Sequence, residues 1–437
     1  MRRSDKLRLV GLLSLPAMMG QLSSIIMQYI DAMMVGHLGA SASASIGLVN
    51  TTMWLFGGLS VSIGTGFCVL VAQHIGAKQN DRARDVLRQA LLLCLAFSFI
   101  TSAFCASIHH VLPIWLGGQG DVVSQASSSF LIWSLTIPVM QMYHLSNGML
   151  RCAGNMTVPM GMGILMCALD VGLNCILIPR YGVTGAAMAT SSSAIICATI
   201  STSYLLLGSP ELRLRGAIGR LRLEWDIIKR ALRIGLPMAV EHIVFCGAQI
   251  VSTLIVAPLG TVAIAANTIG ITVESLCYMP GYGIGEAATT LIGQSVGAKR
   301  YDLVNSFSIL TMATGMTVMT LLGIVMYIFA PELMAFMSID TAVQALGTEA
   351  LHIEAYAEPM YAASIVAYGI FVGVGDTLIP CTMNLLSIWL VRIPLAWLLA
   401  SRMGLQGVWL AMCIELCVRG LIFIIRLRIK KPKKIEN

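Results

Sequence analysis

Long apolar runs alternate along this chain with short breaks of charged residues, Gly and Pro. The runs fall near 8–34, 46–72, 88–109, 124–147, 158–178, 184–207, 234–257, 264–292, 306–329, 346–370, 378–400 and 404–427. Each approaches or exceeds the roughly 20 apolar residues that a helix needs to cross a bilayer. A helix that is apolar all round shows no face, so only the breaks delimit the runs. The pattern predicts an all-α polytopic membrane protein with twelve transmembrane helices. Composition supports it: 57% of residues are hydrophobic and 11% charged, with a mean hydropathy of +0.81, whereas a soluble domain carries about a quarter charged residues.

The runs form two copies of one design. A shift of 221 residues carries Leu15-Pro16 onto Leu236-Pro237, Gln28 onto Gln249, Leu38-Gly39 onto Leu259-Gly260, and Gln73-x-x-Gly76-Ala77-Lys78 onto Gln294-x-x-Gly297-Ala298-Lys299. It continues through Pro138/Pro359 and Gly154/Gly375, then becomes 222 for Gly182/Gly404 and Gly185/Gly407. Six helices per copy is an even number, so both copies enter the membrane from the same side as a parallel repeat, which places a substrate site between two bundles. The expected division is 1–207 for the first bundle, 208–233 for a linker, 234–428 for the second bundle and 429–437 for a basic tail.

The formal charge of +7 does not point to nucleic acid, because the basic residues sit in loops and tails and make no basic face. Arg2, Arg3, Lys6 and Arg8, the residues from Lys78 to Arg88, Arg151, the 208–233 linker, Lys299-Arg300 and the tail all fall on one side; Arg180 and Arg402 fall on the other. The positive-inside rule makes the first side, and with it both termini, cytoplasmic. The opening MRRSDKLR and apolar run look like a signal peptide, but the run is too long for one and recurs mid-chain, so the first helix is expected to stay. The 12 Cys are scattered with no CxxC pair; they are expected to be packing residues, with no disulfide framework.

An ionisable group at a helix centre costs roughly 2.5–3.5 kcal/mol on insertion scales, so each one needs a reason. Asp31 closes the row Gln21, Ser24, Gln28, Asp31, whose spacing puts all four on one face of the first helix. The second copy reads His242, Phe245, Gln249, Ser252 at the same places, so the acid is not repeated. Asp170 and Asn174 are an i, i+4 pair in the fifth helix. Two carboxylates and an amide can coordinate Na⁺ through hard oxygen ligands or hold a proton. The bland alternatives are a solvated Asp31 at the outer mouth and an Asp170 that only bonds nearby backbone. Arg392 needs an acid, with Glu358, Glu354, Glu274 and Glu241 available, and an architectural charge network of Arg392, Glu354 and Glu358 is expected. Glu241 and Glu274 either bind cationic substrates or only satisfy Arg392 and His242; Gln28, His242 and Gln249 join them as cavity candidates. His109-His110 lacks partners for a metal site.

There is no GxxxxGK[ST], HExxH or GxSxG, so neither nucleotide hydrolysis by the chain nor any enzyme reaction is expected. Ion gradients remain. One charge moving through 100 mV yields about 2.3 kcal/mol, enough for a roughly 50-fold gradient of a neutral solute.

Several stretches resemble the multidrug and toxic compound extrusion (MATE) transporters. They are Leu15-Pro16, DAMMVGHLG from Asp31 to Gly39, Gln73-x-x-Gly76-Ala77, RCAGNMTVP from Arg151 to Pro159, and Gly182-x-x-Gly185-Ala186-Ala187; in the second half, Gly235-Leu236-Pro237, APLGT from Ala257, and AATTLIGQ from Ala287 to Gln294. The resemblance covers essentially the whole chain, and Glu241, Glu274 and Arg392 look like the bacterial DinF-like branch. It implies two pseudo-symmetric six-helix bundles around a V-shaped cavity, alternating access, and export of amphipathic, mostly cationic small molecules in exchange for Na⁺ or H⁺. It also implies a monomer in the bacterial inner membrane, with no cofactor and no metal beyond Na⁺. Asp31 matches the family's first-helix acid, and Asp170 and Asn174 fall on a polar pair of the fifth helix in an order that departs from the usual one. Phe245 stands where some members carry a seventh-helix acid. A lipid-linked sugar flippase of the same superfamily is the nearest rival, with a more cationic cavity expected; a channel or receptor is the rival from another class.

Overall fold

The computed structural model describes residues 2–214 and 223–429. Residues 215–222 of the expected linker and 430–437 of the expected basic tail lie outside them. The described helices are α1 (Arg3–Gly36), α2 (Ala40–Gly76), α3 (Asn80–Ile108), the short α4 (Val111–Trp115), α5 (Asp121–Cys152), α6 (Thr157–Tyr181), α7 (Val183–Ser203) and α8 (Trp225–Val256). They continue with α9 (Thr261–Gly297), α10 (Tyr301–Met337), α11 (Thr341–Ala355), α12 (Glu358–Val374), α13 (Leu378–Ser387), α14 (Ile393–Met403) and α15 (Leu405–Ile429). A π-helical turn, Ile388–Arg392, joins α13 to α14 into one path. Among the described residues, eleven stretches are long and apolar enough to cross a membrane, and α11 with α12 makes a twelfth when taken as one span. The chain is a multi-pass membrane protein.

The run at 346–370 is read from sequence as one helix, and here the structure differs. α11 and α12 meet at a bend of 60°. Pro359 lies in the first turn of α12, where its missing N–H costs nothing and its ring fits a helix start, whereas continuing a helix into it would lose a bond and clash with the preceding turn. Pro138, its counterpart, sits inside the continuous α5. The second copy is therefore broken where the first is not.

The repeat is written in the backbone. Gly39 and Gly260 have φ 108° and 100°, Gly154 and Gly375 have 92° and 90°, Gly182 and Gly404 have 59° and 62°, and Lys78 and Lys299 have 59° and 56°. The two lysines explain the Gln-x-x-Gly-Ala-Lys motif: a left-handed residue ends the helix, letting Gln79 N–H reach His74 O at 2.9 Å and Arg300 N–H reach Ser295 O at 3.0 Å.

Two compact units result: 2–22 with 240–429, and 23–239. They follow the repeats except in the first helix of each, since α1 divides after Leu22 and α8 after Ala239. In the unit of 23–239, α2 and the first half of α8 touch backbone to backbone, for a Cβ on Gly66 would overlap the Ala231 carbonyl. Arg82 pairs with Glu224 at 3.1 Å on the same side. In the unit of 2–22 with 240–429, Val10 of α1 is buried in one core with Ile284, Phe307, Val366 and Phe371. Gly283 there lies against Met18, whose backbone N would be 2.6 Å from an added Cβ.

Candidate functional site

Within the unit of 23–239, the second half of α1 brings Asp31 to α6, which carries Asp170 and Asn174 one turn apart. The Asn174 amide donates to both acids, at 2.7 Å to Asp31 Oδ1 and 2.9 Å to Asp170 Oδ2. Sharing one amide nitrogen, the two carboxyls lie close together. Asp170 and Asn174 are fully buried, and Asp31 is half-buried. Helical spacing places apolar contacts on both sides of the cluster. One turn towards the α1 N-terminus, Met27 packs in a core with Met166 and Leu169, and one turn the other way Val35 packs with Ile178. Charge between these apolar layers is weakly screened.

The arrangement leaves two buried oxygens, Asp170 Oδ1 and Asn174 Oδ1, with no hydrogen-bond partner. Buried polar atoms are almost always paired, so two orphaned acceptors beside a second carboxylate are the chemistry of a place for a small cation. A single Na⁺ can take both oxygens as ligands, whereas one proton shared between the carboxyls would satisfy Asp170 Oδ1 alone. Among the described residues no group of three or more His, Cys, Asp or Glu could hold a metal ion. Gln28, on the same face of α1 as Asp31, is exposed.

In the unit of 2–22 with 240–429, Glu241 accepts from Tyr368 Oη at 2.7 Å and from Asn384 Nδ2 at 2.6 Å. His242 lies 3.8 Å from Cys246 Sγ. Gln249 is exposed and Glu274 is buried. Arg392 does not pair with any of the four acids that the sequence offers for it. Its salt bridge is to Glu415, at 2.8 Å, which also binds Arg419 at 2.9 Å and accepts from Ser387 at 2.6 Å. Glu415 and Arg419 are one turn apart inside an apolar run, a pairing the i, i+4 rule makes visible; Tyr368 and Asn384 carried no such signal. Glu354 lies within electrostatic range of Arg392, and Glu354 and Glu358 are both fully buried.

The MatE family model matches residues 16–176 and 237–398, one segment in each repeat. The chain belongs to the MatE family. Among relatives of this MatE protein are two called "Probable multidrug resistance protein NorM". That of Thermotoga maritima is 28% identical over 423 residues, covering 93% of this chain and 89% of the relative. That of Xanthomonas axonopodis pv. citri is 26% identical, covering 97% and 94%. The fold matches a solved MOP-superfamily transporter from Pyrococcus furiosus, described as having a binding pocket of reverse polarity that suggests a different function, with a TM-score of 0.92 at 20% identity over 98% of this chain and 97% of that one. An outward-facing multidrug resistance MATE transporter fits equally well, at TM-score 0.92 and 20% identity over 98% and 96%.

Proposed function

We propose that this MatE protein is a secondary multidrug exporter that moves amphipathic, mostly cationic compounds out of the cell in exchange for Na⁺ or H⁺ by alternating access. The observation that carries the reading is the Asp31–Asp170–Asn174 cluster, in which a fully buried amide holds two carboxyls while two buried oxygens stay without partners. A coupling ion fills that gap and removes the repulsion between the acids. The multidrug resistance names of the relatives support the substrate class. The protein works in the plasma membrane with both termini cytoplasmic, as the distribution of Lys and Arg suggests. Glu241, steadied by Tyr368 and Asn384, is proposed to meet cationic substrates with His242 and Gln249 of its own unit, and Gln28 to do so within the unit of 23–239. Arg392 is architectural, tied to Glu415.

The test is efflux of ethidium from proteoliposomes under an imposed Na⁺ or H⁺ gradient, with Asp31→Asn and Asp170→Asn beside the wild type. One gradient is expected to drive export by the wild type, and both folded variants to fail. Variants that export like the wild type would remove the ion site from the mechanism.

A further inference from the structure

A second group of acids lies in the other unit and takes no part in the site above. Glu354 is in the last turn of α11 and Glu358 opens α12, on either side of the 60° bend. Both are 0% exposed, and none of their four carboxylate oxygens has a hydrogen-bond partner. The titratable and charged neighbours are Glu274 and Cys277 from α9, Arg392 from the π-helical turn, and Cys413 and Glu415 from α15; Tyr282 of α9 and Tyr361 of α12 face Glu274. From α10 comes Gly323, whose missing side chain leaves room for Glu358: a Cβ there would lie 3.1 Å from the Glu358 Cβ and Cγ.

The charges here do not balance. Arg392 and Arg419 both bond to Glu415, so the positive side chains nearest the bend are committed to one carboxylate. Glu274, Glu354 and Glu358 remain, and two guanidinium groups can offset only one carboxylate beyond Glu415. Full ionisation would leave two uncompensated negative charges inside the protein, a state that costs far more than neutralising the acids. A proton bound directly to a carboxyl neutralises it without any further ligand, which suits acids whose oxygens have no neighbouring partner.

We infer that Glu354 and Glu358, together with Glu274, form a second proton-binding site at the break between α11 and α12, separate from the Asp31–Asp170–Asn174 cluster. The site carries two protons when filled, and it stands whether the first cluster takes Na⁺ or H⁺. The acids that the sequence assigns to an architectural network thereby become a store of protons inside the second unit.

The experiment is infrared difference spectroscopy on the full chain in lipid nanodiscs, free of Na⁺, comparing wild type with Glu354→Gln, Glu358→Gln and Asp31→Asn. At neutral pH the wild type is expected to show the C=O band of protonated carboxyls, and each Gln variant to lose the intensity of one carboxyl. Asp31→Asn is expected to leave that part of the band in place. Raising the pH on the wild type should remove it reversibly. A band unchanged in both Gln variants overturns the proposal, as does its loss on adding Na⁺ at constant pH. Misfolding of the Gln variants also counts against it, because an amide replaces a neutral acid of the same shape, and only an ionised glutamate would be missed by the fold.

Discussion

Asn174 offers the sharpest perturbation of the first site, because its one amide nitrogen holds both acids. Asn174→Ala removes hydrogen bonds of 2.7 and 2.9 Å and deletes Asn174 Oδ1, one of the two oxygens left open to a cation. A hydrogen bond to a charged group contributes about 1.5–3 kcal/mol, and part of that holds the acids in place whether or not an ion is bound. Taking about 2 kcal/mol as the part lost from ion binding gives a roughly 30-fold weaker interaction at 1.4 kcal/mol per decade. The assay is ethidium efflux from proteoliposomes as the coupling ion is titrated. The half-saturating ion concentration should rise by about that factor, while the maximal rate at saturating ion falls less. Confirming the fold by size-exclusion elution separates loss of binding from loss of protein. A half-saturating concentration within two-fold of wild type would show that Asn174 only ties α1 to α6, and the ion-site reasoning would fall.

Two further outcomes follow from packing and charge. Glu415→Gln strips both Arg392 and Arg419 of their carboxylate, while Arg392→Met leaves Glu415 still paired with Arg419. Breaking a buried ion pair costs about 3–5 kcal/mol, so thermal unfolding in detergent should show the larger fall in apparent Tm for Glu415→Gln; an equal or reversed order refutes the triad. Gly66→Ala drives a methyl into the Ala231 carbonyl and should cost about 1–3 kcal/mol by overpacking, read as a lower apparent Tm, whereas an unchanged Tm would mean that α2 and α8 are less closely packed than described.

The spans were legible because a chain this apolar leaves only its breaks to read, and the repeat because Gly39/Gly260 and Lys78/Lys299 must keep special backbone angles in both copies. The neighbourhood of Asp31, Asp170 and Asn174 was legible as polar residues on single helix faces. What stayed hidden depends on which helices meet. Pro138 and Pro359 look alike in sequence, yet only the second coincides with a broken helix. Arg392 had four acids to choose from by composition, and α15 brought a fifth, Glu415. Tyr368 and Asn384 reach Glu241 from distant helices, and no periodicity encodes that.

The division of α1 after Leu22 and of α8 after Ala239 has a consequence for how the protein is made. Residues 2–22 leave the ribosome well before Ile284, Phe307 and the later residues that build the core around Val10. That segment must wait in the bilayer through the synthesis of all of 23–239. The earlier-made helices α2 to α7 wait in turn for 225–239 to cover Gly66. Neither copy can complete itself from its own sequence alone, so halves cut at the linker and expressed separately would each lack a segment that the other holds, and would be expected to recover it only by pairing.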